Sequence, residues 1–269
     1  MEWVTPGPAF LFCPADRPER FAKADAAADV VILDLEDGVA PERREQARHH
    51  VRAADLDPAT TIVRVNAVTS AEHDSDMAML KDCAFRMVML AKTSCADEVL
   101  SLEGFGVVAL CETPAGVAAA DEIAECSNTM GLMWGAEDLV AALGGYSSRH
   151  DDGSFRDVAR YARARILVAA GAHHLCALDA VYLNLGNLDG QRDQALDAAA
   201  MGFSASACVH PSQAPIVREA YRPTSAQIAW ARTILEASKD RGGVFRVGDV
   251  MVDEPVMTQA RQIMNRART

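Results

Sequence analysis

Basic residues are in the minority in this chain of 269 residues: 26 Lys and Arg stand against 38 Asp and Glu, a net charge of −12. A nucleic-acid surface needs a basic patch to meet phosphates, and none stands out, so that class of partner is set aside. Local basic groups can still meet a single phosphate. No apolar run approaches the ~18–20 residues of a membrane helix, so no membrane role is expected. No Cys-x-x-Cys pair occurs. Cys13, Cys83, Cys95, Cys111, Cys126, Cys176 and Cys208 are scattered and odd in number, which argues against a disulfide framework and a zinc site. Several lie in apolar runs, where a free thiol acts as a small hydrophobe. Ala9 to Cys13 is too short for a secretion signal and lacks a basic lead, so a cytoplasmic protein is expected. No Gly-x-Gly-x-x-Gly follows an apolar run, which removes the dinucleotide-binding signature. Solenoid repeats and low-complexity segments are absent as well.

What the chain does have is alternation. Half of it is hydrophobic, which suits one domain of roughly 200–250 residues plus a tail. Short β-rich apolar runs predict strands at Phe10–Pro14, Val30–Asp34, Thr61–Asn66, Arg86–Lys92, Val107–Thr113, Gly131–Glu137, Ala180–Leu185 and Ser206–His210. Between them, Arg17–Ala28, Pro41–Ala54, Ser75–Lys81, Ala96–Leu102, Ala115–Glu125, Asp157–Ala172 and Gly190–Met201 carry helical spacing of apolar positions. Continuous apolar runs between helices point to a parallel sheet buried on both faces. Eight such units predict an α/β fold, a (β/α)8 TIM barrel with additional C-terminal helices, over a doubly wound open sheet as the alternative. After His210 the pattern changes. Thr224 or Ser225 is placed to cap a helix reaching about Lys239. Asp240-Arg241-Gly242-Gly243 breaks it, and a turn at Met251-Val252-Asp253 leads to a last helix from about Glu254 to Arg268. The expected division is a barrel over residues 1–215 and a helical extension over 216–269 that packs on a neighbouring subunit.

In such barrels the functional groups gather at the C-terminal strand ends. Two apolar runs here end in acids. Gly106-Val107-Val108-Ala109-Leu110-Cys111 runs into Glu112, and Gly131-Leu132-Met133-Trp134-Gly135-Ala136-Glu137 runs into Asp138. A buried strand that ends in an acid sets the charge at the rim of the sheet, and two neighbouring rims can hold a hard cation. With no Cys or His cluster near them, Glu112 and Asp138 favour Mg²⁺ or Mn²⁺ over zinc. Helix capping, or pairing with a rim arginine, fits the same spacing.

Other strand ends add polar groups. The Arg64 fork suits a substrate carboxylate or a developing enolate oxygen, and equally a structural pair with Glu36 or Asp37. Glu36 and Asp37 are adjacent, and on a strand only one would face the site. Glu36 is assigned to support metal-bound water and Asp37 to cap the next helix. Arg17, Arg20 and Lys23 open the first helical segment and, with Lys92 across the rim, are placed to meet a phosphorylated ligand; a solvated helix face explains them too. Asn184 is expected near the end of strand seven. His210 before Pro211 reads either as a base or as a satisfied histidine at a strand end. His49-His50 and His173-His174 lack ligand spacing. By spacing alone, Asp253 is a helix cap.

Taken in order, Phe12-Cys13-Pro14-Ala15-Asp16-Arg17-Pro18-Glu19-Arg20-Phe21, Leu33-Asp34-Leu35-Glu36-Asp37-Gly38-Val39, Arg64-Val65-Asn66, Glu112-Thr113-Pro114-Ala115-Gly116-Val117, Gly135-Ala136-Glu137-Asp138-Leu139, His210-Pro211-Ser212-Gln213 and Met251-Val252-Asp253-Glu254-Pro255 resemble the citrate lyase β-subunit-like family. That family stands with the HpcH/HpaI aldolases and malyl-CoA lyases. The resemblance spans nearly the whole chain. It implies a (β/α)8 barrel assembled as a trimer or hexamer, and Mg²⁺-dependent cleavage or formation of a carbon–carbon bond in a 3-hydroxyacyl thioester, with a small keto acid and an acyl-CoA as the other partners. It implies Glu112 and Asp138 as metal ligands and Arg64 as the group that binds substrate oxygens. Asp253 matches an acid offered to a neighbouring subunit as general base or acid. Arg17, Arg20, Lys23 and Lys92 would lie near the coenzyme A phosphates. Some positions depart from the family pattern. Ala91 stands where Pro is common, Asn184 and Asn187 where acids are common, and Ser204-Ala205-Ser206 where Asp-Gly-Lys is frequent. The last change bears on the thioester carrier. Three readings stay open: a free-standing acyl-CoA lyase, a citrate lyase β subunit acting on a citryl-acyl carrier protein, and a non-catalytic interaction barrel.

Overall fold

The computed structural model describes Trp3, residues 5–239 and residues 243–267. Its strands are β1 (Ala9–Pro14), β2 (Val30–Asp34), β3 (Thr61–Val65), β4 (Met87–Leu90), β5 (Gly106–Cys111), β6 (Thr129–Trp134), β7 (Cys176–Asp179) and β8 (Ala205–Cys208). They pair in parallel in sequence order, and β1 closes on β8 as a barrel. The helices between them are α1 (Phe21–Ala27), α2 (Arg44–Arg52), α3 (His73–Lys81), α4 (Ala96–Leu100), α5 (Pro114–Ala118), α6 (Ala120–Glu125), α7 (Ala136–Ala142), α8 (Asp157–Ala172) and α9 (Leu188–Met201), with α10 (Ala214–Tyr221) after β8. The expected eightfold α/β barrel is thus the fold observed.

Strand parity explains both the core and the mouth. Successive strand residues face opposite sides, so every second one points into the barrel. The buried interior cluster contains Phe10, Val30, Ile32, Ile62, Met87, Met89, Val108, Leu110, Met133, Leu178, Ala205 and Ala207. Val30 and Ile32, Met87 and Met89, and Val108 and Leu110 are all two apart. Val31, Leu33, Val63 and Val107 are equally buried but have the opposite parity, toward the helices. This double burial is why the runs read as continuous rather than alternating. Extending the inward parity by one step reaches Asp34, Arg64 and Glu112.

Several boundaries correct the sequence reading. The run Ala180–Leu185, expected as strand seven, carries no strand; β7 is the shorter Cys176–Asp179 before it. Only those residues find ladder partners, with Gly131↔Cys176 through Met133↔Leu178 on one side and Leu178↔Ala205 with Asp179↔Ser206 on the other. Register between neighbours, not β propensity, selects the strand. Asn184 therefore lies in a loop. Strand six stops at Trp134, so Glu137 and Asp138 sit in the first turn of α7 instead of on a strand. The segment Ala115–Glu125 is two helices, α5 and α6.

The chain divides into two compact units, Met1–Val217 and Arg218–Thr269. In the second, α11 (Ser225–Ser238) starts at Thr224, whose side chain accepts from the Gln227 amide in a capping box. A hairpin follows, β9 (Phe245–Val247) with β10 (Val250–Val252), turned at Gly248 with φ 58°. Met251 and Val252, expected in a turn, are strand residues of β10. The last helix, α12, is Glu254–Arg266. The expected break at Asp240-Arg241-Gly242 and the helix end at Arg268 lie outside the described residues. Ala231, Ile234, Val252 and Ala260 form this unit's own buried core. Among the described residues no helix is long and apolar enough to cross a membrane.

Candidate metal centre

At the barrel mouth a cavity of about 430 Å³ is lined by Phe12, Asp34, Arg64, Glu112, Gly135 and Asp138, with apolar Leu110, Met133 and Val181 beneath and beside them. Its polar half is built on the turn after β2. The buried Asp34 carboxylate accepts from the amides of Glu36 and Gly38, each at 2.9 Å. It also takes the Arg64 fork in two bonds of 2.6 Å, from Nε and Nη2. A side chain at position 38 has no room, since its Cβ would fall 2.2 Å from Asp34 Oδ2. Arg64 Nη1 lies 3.2 Å from Glu36 Oε2, and the guanidinium sits 4.8 Å from the centre of the Phe12 ring. Burial alone would weaken the hold of Arg64 on its proton, but Asp34 and Glu36 outweigh it and raise its pKa. Arg64 is permanently charged and fixed in direction. Below it, Asn66 ties β3 to β2, donating to the Leu35 carbonyl at 3.0 Å and to Asp76 at 2.7 Å, and Arg48 pairs with Asp76 at 3.0 Å.

Glu112 extends the inward face of β5 and is buried. Its side chain packs so closely on Gly135 that a Cβ there would lie 2.7 Å from Oε2 and 2.8 Å from the Glu112 Cβ. Thr113, Pro114 and Gly116 follow in capping order: Thr113 Oγ1 accepts from the Gly116 amide at 3.0 Å, and Pro114 opens α5. Gly116 is obligatory here, because its Cβ would meet the Thr93 carbonyl at 2.0 Å. Lys92, in the left-handed region at φ 53°, donates its amide to Glu112 Oε1 at 3.2 Å. Its ammonium bonds Glu36 and, at 3.0 Å, Asp37. Asp138 Oδ1 is 3.9 Å from that ammonium and is 41% exposed on its side chain.

The charges explain the electrostatics. Burial, and then the negative charge of Asp138, push Glu112 up from 4.5 to about 8, against the pull of Arg64 and Lys92. Burial opposes ionisation of Asp37, but Lys92 outweighs it and lowers its pKa.

A buried carboxylate with a raised pKa, facing a second carboxylate, is short of positive charge. The donors are all oxygens, which matches a hard divalent cation held by two carboxylates and otherwise by water and ligand oxygens. Among the described residues no group of three or more His, Cys, Asp or Glu side chains forms a metal site, so a closed zinc-type centre is not built here. The residues present therefore fit Mg²⁺ between Glu112 and Asp138.

The turn that carries Asp138 is anchored from behind. Trp134, the last residue of β6, donates its indole N–H to Asp179 at 2.7 Å. Asp179 ends β7 and also accepts two bonds of 2.9 Å from Arg163 on α8. Arg163 reaches Asp197 on α9 as well. This network, buried at Trp134, Arg163 and Asp179 and open to solvent at Asp197, pins the point at which β6 turns into α7. Asp179→Ala is expected to lower stability by about 3–5 kcal/mol, because it leaves the buried Arg163 guanidinium with only the exposed Asp197 and the Trp134 indole N–H without its acceptor. Asp179→Asn should cost less. Urea unfolding of both variants checks the order.

The structure thus brings Arg64, Glu36, Lys92, Glu112 and Asp138 together. It corrects three assignments. Glu36 and Asp37 lie past the end of β2, so strand alternation does not separate them, and both meet Lys92. Asp37 caps no helix. Lys92, grouped by sequence with the phosphate-binding bases, spends its ammonium on carboxylates, because its left-handed backbone turns it back over the mouth. Arg17, Arg20 and Lys23 are exposed beyond β1, with Arg17 3.8 Å from Asp16. His210 is a cap: its Nδ1 accepts from the Ser212 amide at 3.2 Å. Asp253 caps α12, accepting from the Val256 amide at 3.2 Å. The sequence reading missed Asp34 as the main partner of Arg64, although inward parity would have found it. It also missed Asp179, which the misplaced strand seven concealed.

Comparison with known proteins returns the HpcH/HpaI aldolase/citrate lyase family, whose sequence model matches residues 9–211. The citrate lyase subunit beta-like protein of Mycobacterium tuberculosis is 52% identical over 261 residues, covering 97% of this chain and 96% of that protein. The mitochondrial citramalyl-CoA lyase of Rattus norvegicus is 30% identical, over 97% of this chain and 86% of its own. A crystal structure of protein CitE from Mycobacterium tuberculosis, in complex with magnesium, acetoacetate and coenzyme A, superposes with a TM-score of 0.95 at 52% identity and covers 98% of both chains.

Proposed function

The chain belongs to the HpcH/HpaI aldolase/citrate lyase family, and we propose from that premise that it is a Mg²⁺-dependent carbon–carbon lyase. Its substrate is a short 3-hydroxyacyl-CoA thioester of malyl-, citramalyl- or hydroxymethylglutaryl-CoA type, cleaved to a keto acid and acetyl-CoA or a related acyl-CoA, or formed from them. The observation that carries this reading is the charge-deficient pair Glu112 and Asp138 beside the fixed Arg64 fork, in one cavity of about 430 Å³. Such a volume takes the acyl part of the thioester. The coenzyme stays outside it, where exposed Arg17, Arg20 and Lys23 follow β1 on the same rim and are available to phosphates.

Glu112 and Asp138 would hold Mg²⁺, which supplies Lewis-acid polarisation of the substrate oxygens when bound. Cleavage needs a base to take the hydroxyl proton. The carbon–carbon bond then breaks, its electron pair passing to the thioester as an enolate, and an acid protonates that carbon. Arg64 faces the developing charge with the N–H groups that Asp34 and Glu36 leave free, and its direction is set before substrate arrives. Glu36 touches no reacting atom in this reading; it holds Arg64 and Lys92 in place. Asp253 is the proposed proton carrier. Its Oδ1 serves the α12 cap, and the second oxygen remains for proton transfer. Assembly as a trimer or hexamer, with Asp253 offered to a neighbouring site, belongs to the same proposal. So does a cytoplasmic location, which the scattered cysteines, odd in number and without a Cys-x-x-Cys pair, support.

The test is a panel of 3-hydroxyacyl-CoA thioesters incubated with Mg²⁺ and with EDTA. Keto acid should be released from at least one thioester with Mg²⁺ and from none in EDTA. Release from none under either condition would overturn the lyase reading. Cleavage confined to citryl-acyl carrier protein would move the chain to the citrate lyase β role. Asp253→Asn should lower kcat about a hundredfold with Mg²⁺ affinity unchanged; a wild-type rate would remove its proton-transfer role.

A further inference from the structure

Beside the reaction cavity lies a second one of about 370 Å³. Its walls come from the loop between α7 and α8, from α8, from the segment joining β7 to α9, and from α9 itself. That last segment serves both cavities: Val181 and Leu183 line the first, and Tyr182 between them lines the second.

The anomaly in the second cavity is Arg149. Its guanidinium sits 3.8 Å from the centre of the Phe155 ring and 5.2 Å from that of Tyr182. Nη1 donates to the Gly153 carbonyl at 2.7 Å and Nη2 to Gln194 Oε1. Every protein acceptor it has is neutral. Arg149 is half-buried; Arg48, Arg64 and Arg163 each hold a carboxylate within 3.0 Å, whereas no described carboxylate pairs with Arg149. The isolation shows in its acidity: burial pushes Arg149 below the ordinary arginine range, while acid partners push the other three above it. A cation removed from water without a counter-charge carries a cost that a bound anion would relieve.

We propose that this second cavity binds a small carboxylate, anchored by the Arg149 fork between Phe155 and Tyr182. Charge narrows the class. Asp152, Asp193 and Asp197 line the same cavity with Arg160 and Arg163; Arg160 pairs with Asp157 outside it, and of the three acids Arg163 engages only Asp197. A polyanion would meet Asp152 and Asp193 as repulsion. A ligand with one carboxylate and a hydroxyl or ammonium at its other end satisfies both walls, so a short hydroxy acid or amino acid fits best. The planar fork matches a carboxylate bidentately. The Tyr182 hydroxyl, which accepts from Asn187 Nδ2 at 3.0 Å, supplies a further polar edge.

Calorimetric titration of the full chain in EDTA tests this, using lactate, L-alanine, succinate and phosphate as probes. Lactate or alanine should bind saturably and more tightly than succinate or phosphate. Arg149→Met should weaken that binding at least tenfold. Arg149→Lys, which keeps the charge and loses the fork, should also weaken it, and it decides the matter if the methionine variant does not fold. Wild-type affinity in whichever variant folds would place the carboxylate elsewhere and overturn the proposal. So would no binding of either monocarboxylate, or phosphate as the tightest ligand. Arg149 is outside the residues assigned to cleavage, so failure here leaves the lyase reading untouched.

Discussion

Glu112→Gln should abolish measurable Mg²⁺ binding and lower turnover by about a thousandfold or more, while the barrel stays folded and becomes more stable at neutral pH. The substitution keeps shape and removes one charge from a pair that already lacks compensation. Loss of a group that stabilises developing charge costs about 10²–10³ in rate, and loss of the ion itself adds to that. The stability sign follows from proton linkage. In the metal-free protein Glu112 binds its proton more tightly than in the unfolded chain, about 8 against 4.5. Its contribution to stability is therefore full below pH 4.5 and is lost as pH rises to about 8. Melting temperatures of metal-free wild type should fall across that window, and those of Glu112→Gln should fall less. Mg²⁺ at a hundred times its Kd should then restore about 2.7 kcal/mol to the wild type at pH 8 and nothing to the variant. Equal pH slopes in the two proteins would contradict the assignment.

Arg64→Met should cost both activity and stability. The fork is the main partner of Asp34 and also faces Glu36, and both acids are buried. Removing it leaves two carboxylates out of water with only backbone donors and Lys92 to answer them, at about 3–5 kcal/mol. Arg64→Lys separates the effects. A lysine returns the charge, so most of the stability should come back, but it cannot pair bidentately with Asp34 and still face the substrate. Turnover of Arg64→Lys should remain about a hundredfold down at temperatures where circular dichroism shows it folded. Full recovery of kcat in the lysine variant would reduce Arg64 to a structural ion pair.

The barrel was legible because its signal is local and repeated. Each strand is a short run buried on both faces, and the spacing of helical segments between the runs leaves little choice of architecture. The C-terminal cap at Thr224 was legible for the same reason, as Thr224 and Gln227 lie within one turn. Strand seven was not legible. Ala180-Val181-Tyr182-Leu183 has better β chemistry than Cys176-Ala177-Leu178-Asp179, yet only the latter finds partners on both β6 and β8. The short β9–β10 hairpin also escaped, since three-residue strands carry too little periodicity to register.

The site divides along the same line. By itself the sequence determined which chemistry was available: acids at the ends of two apolar runs, an arginine on the strand between them and the first acidic turn, and no cluster of cysteines or histidines to make the centre soft. Those are matters of residue type and position along the chain. Only the tertiary structure decided which charges meet. Closing β1 onto β8 brings Asp34, Arg64 and Glu112 to one mouth on shared inward parity. Lys92, with its backbone in the left-handed region, places its ammonium on Glu36 and Asp37. Burial and the nearby Asp138 then push Glu112 up to about 8. Pairing and dielectric are properties of neighbours in space, and a linear order of residues contains neither until the barrel closes.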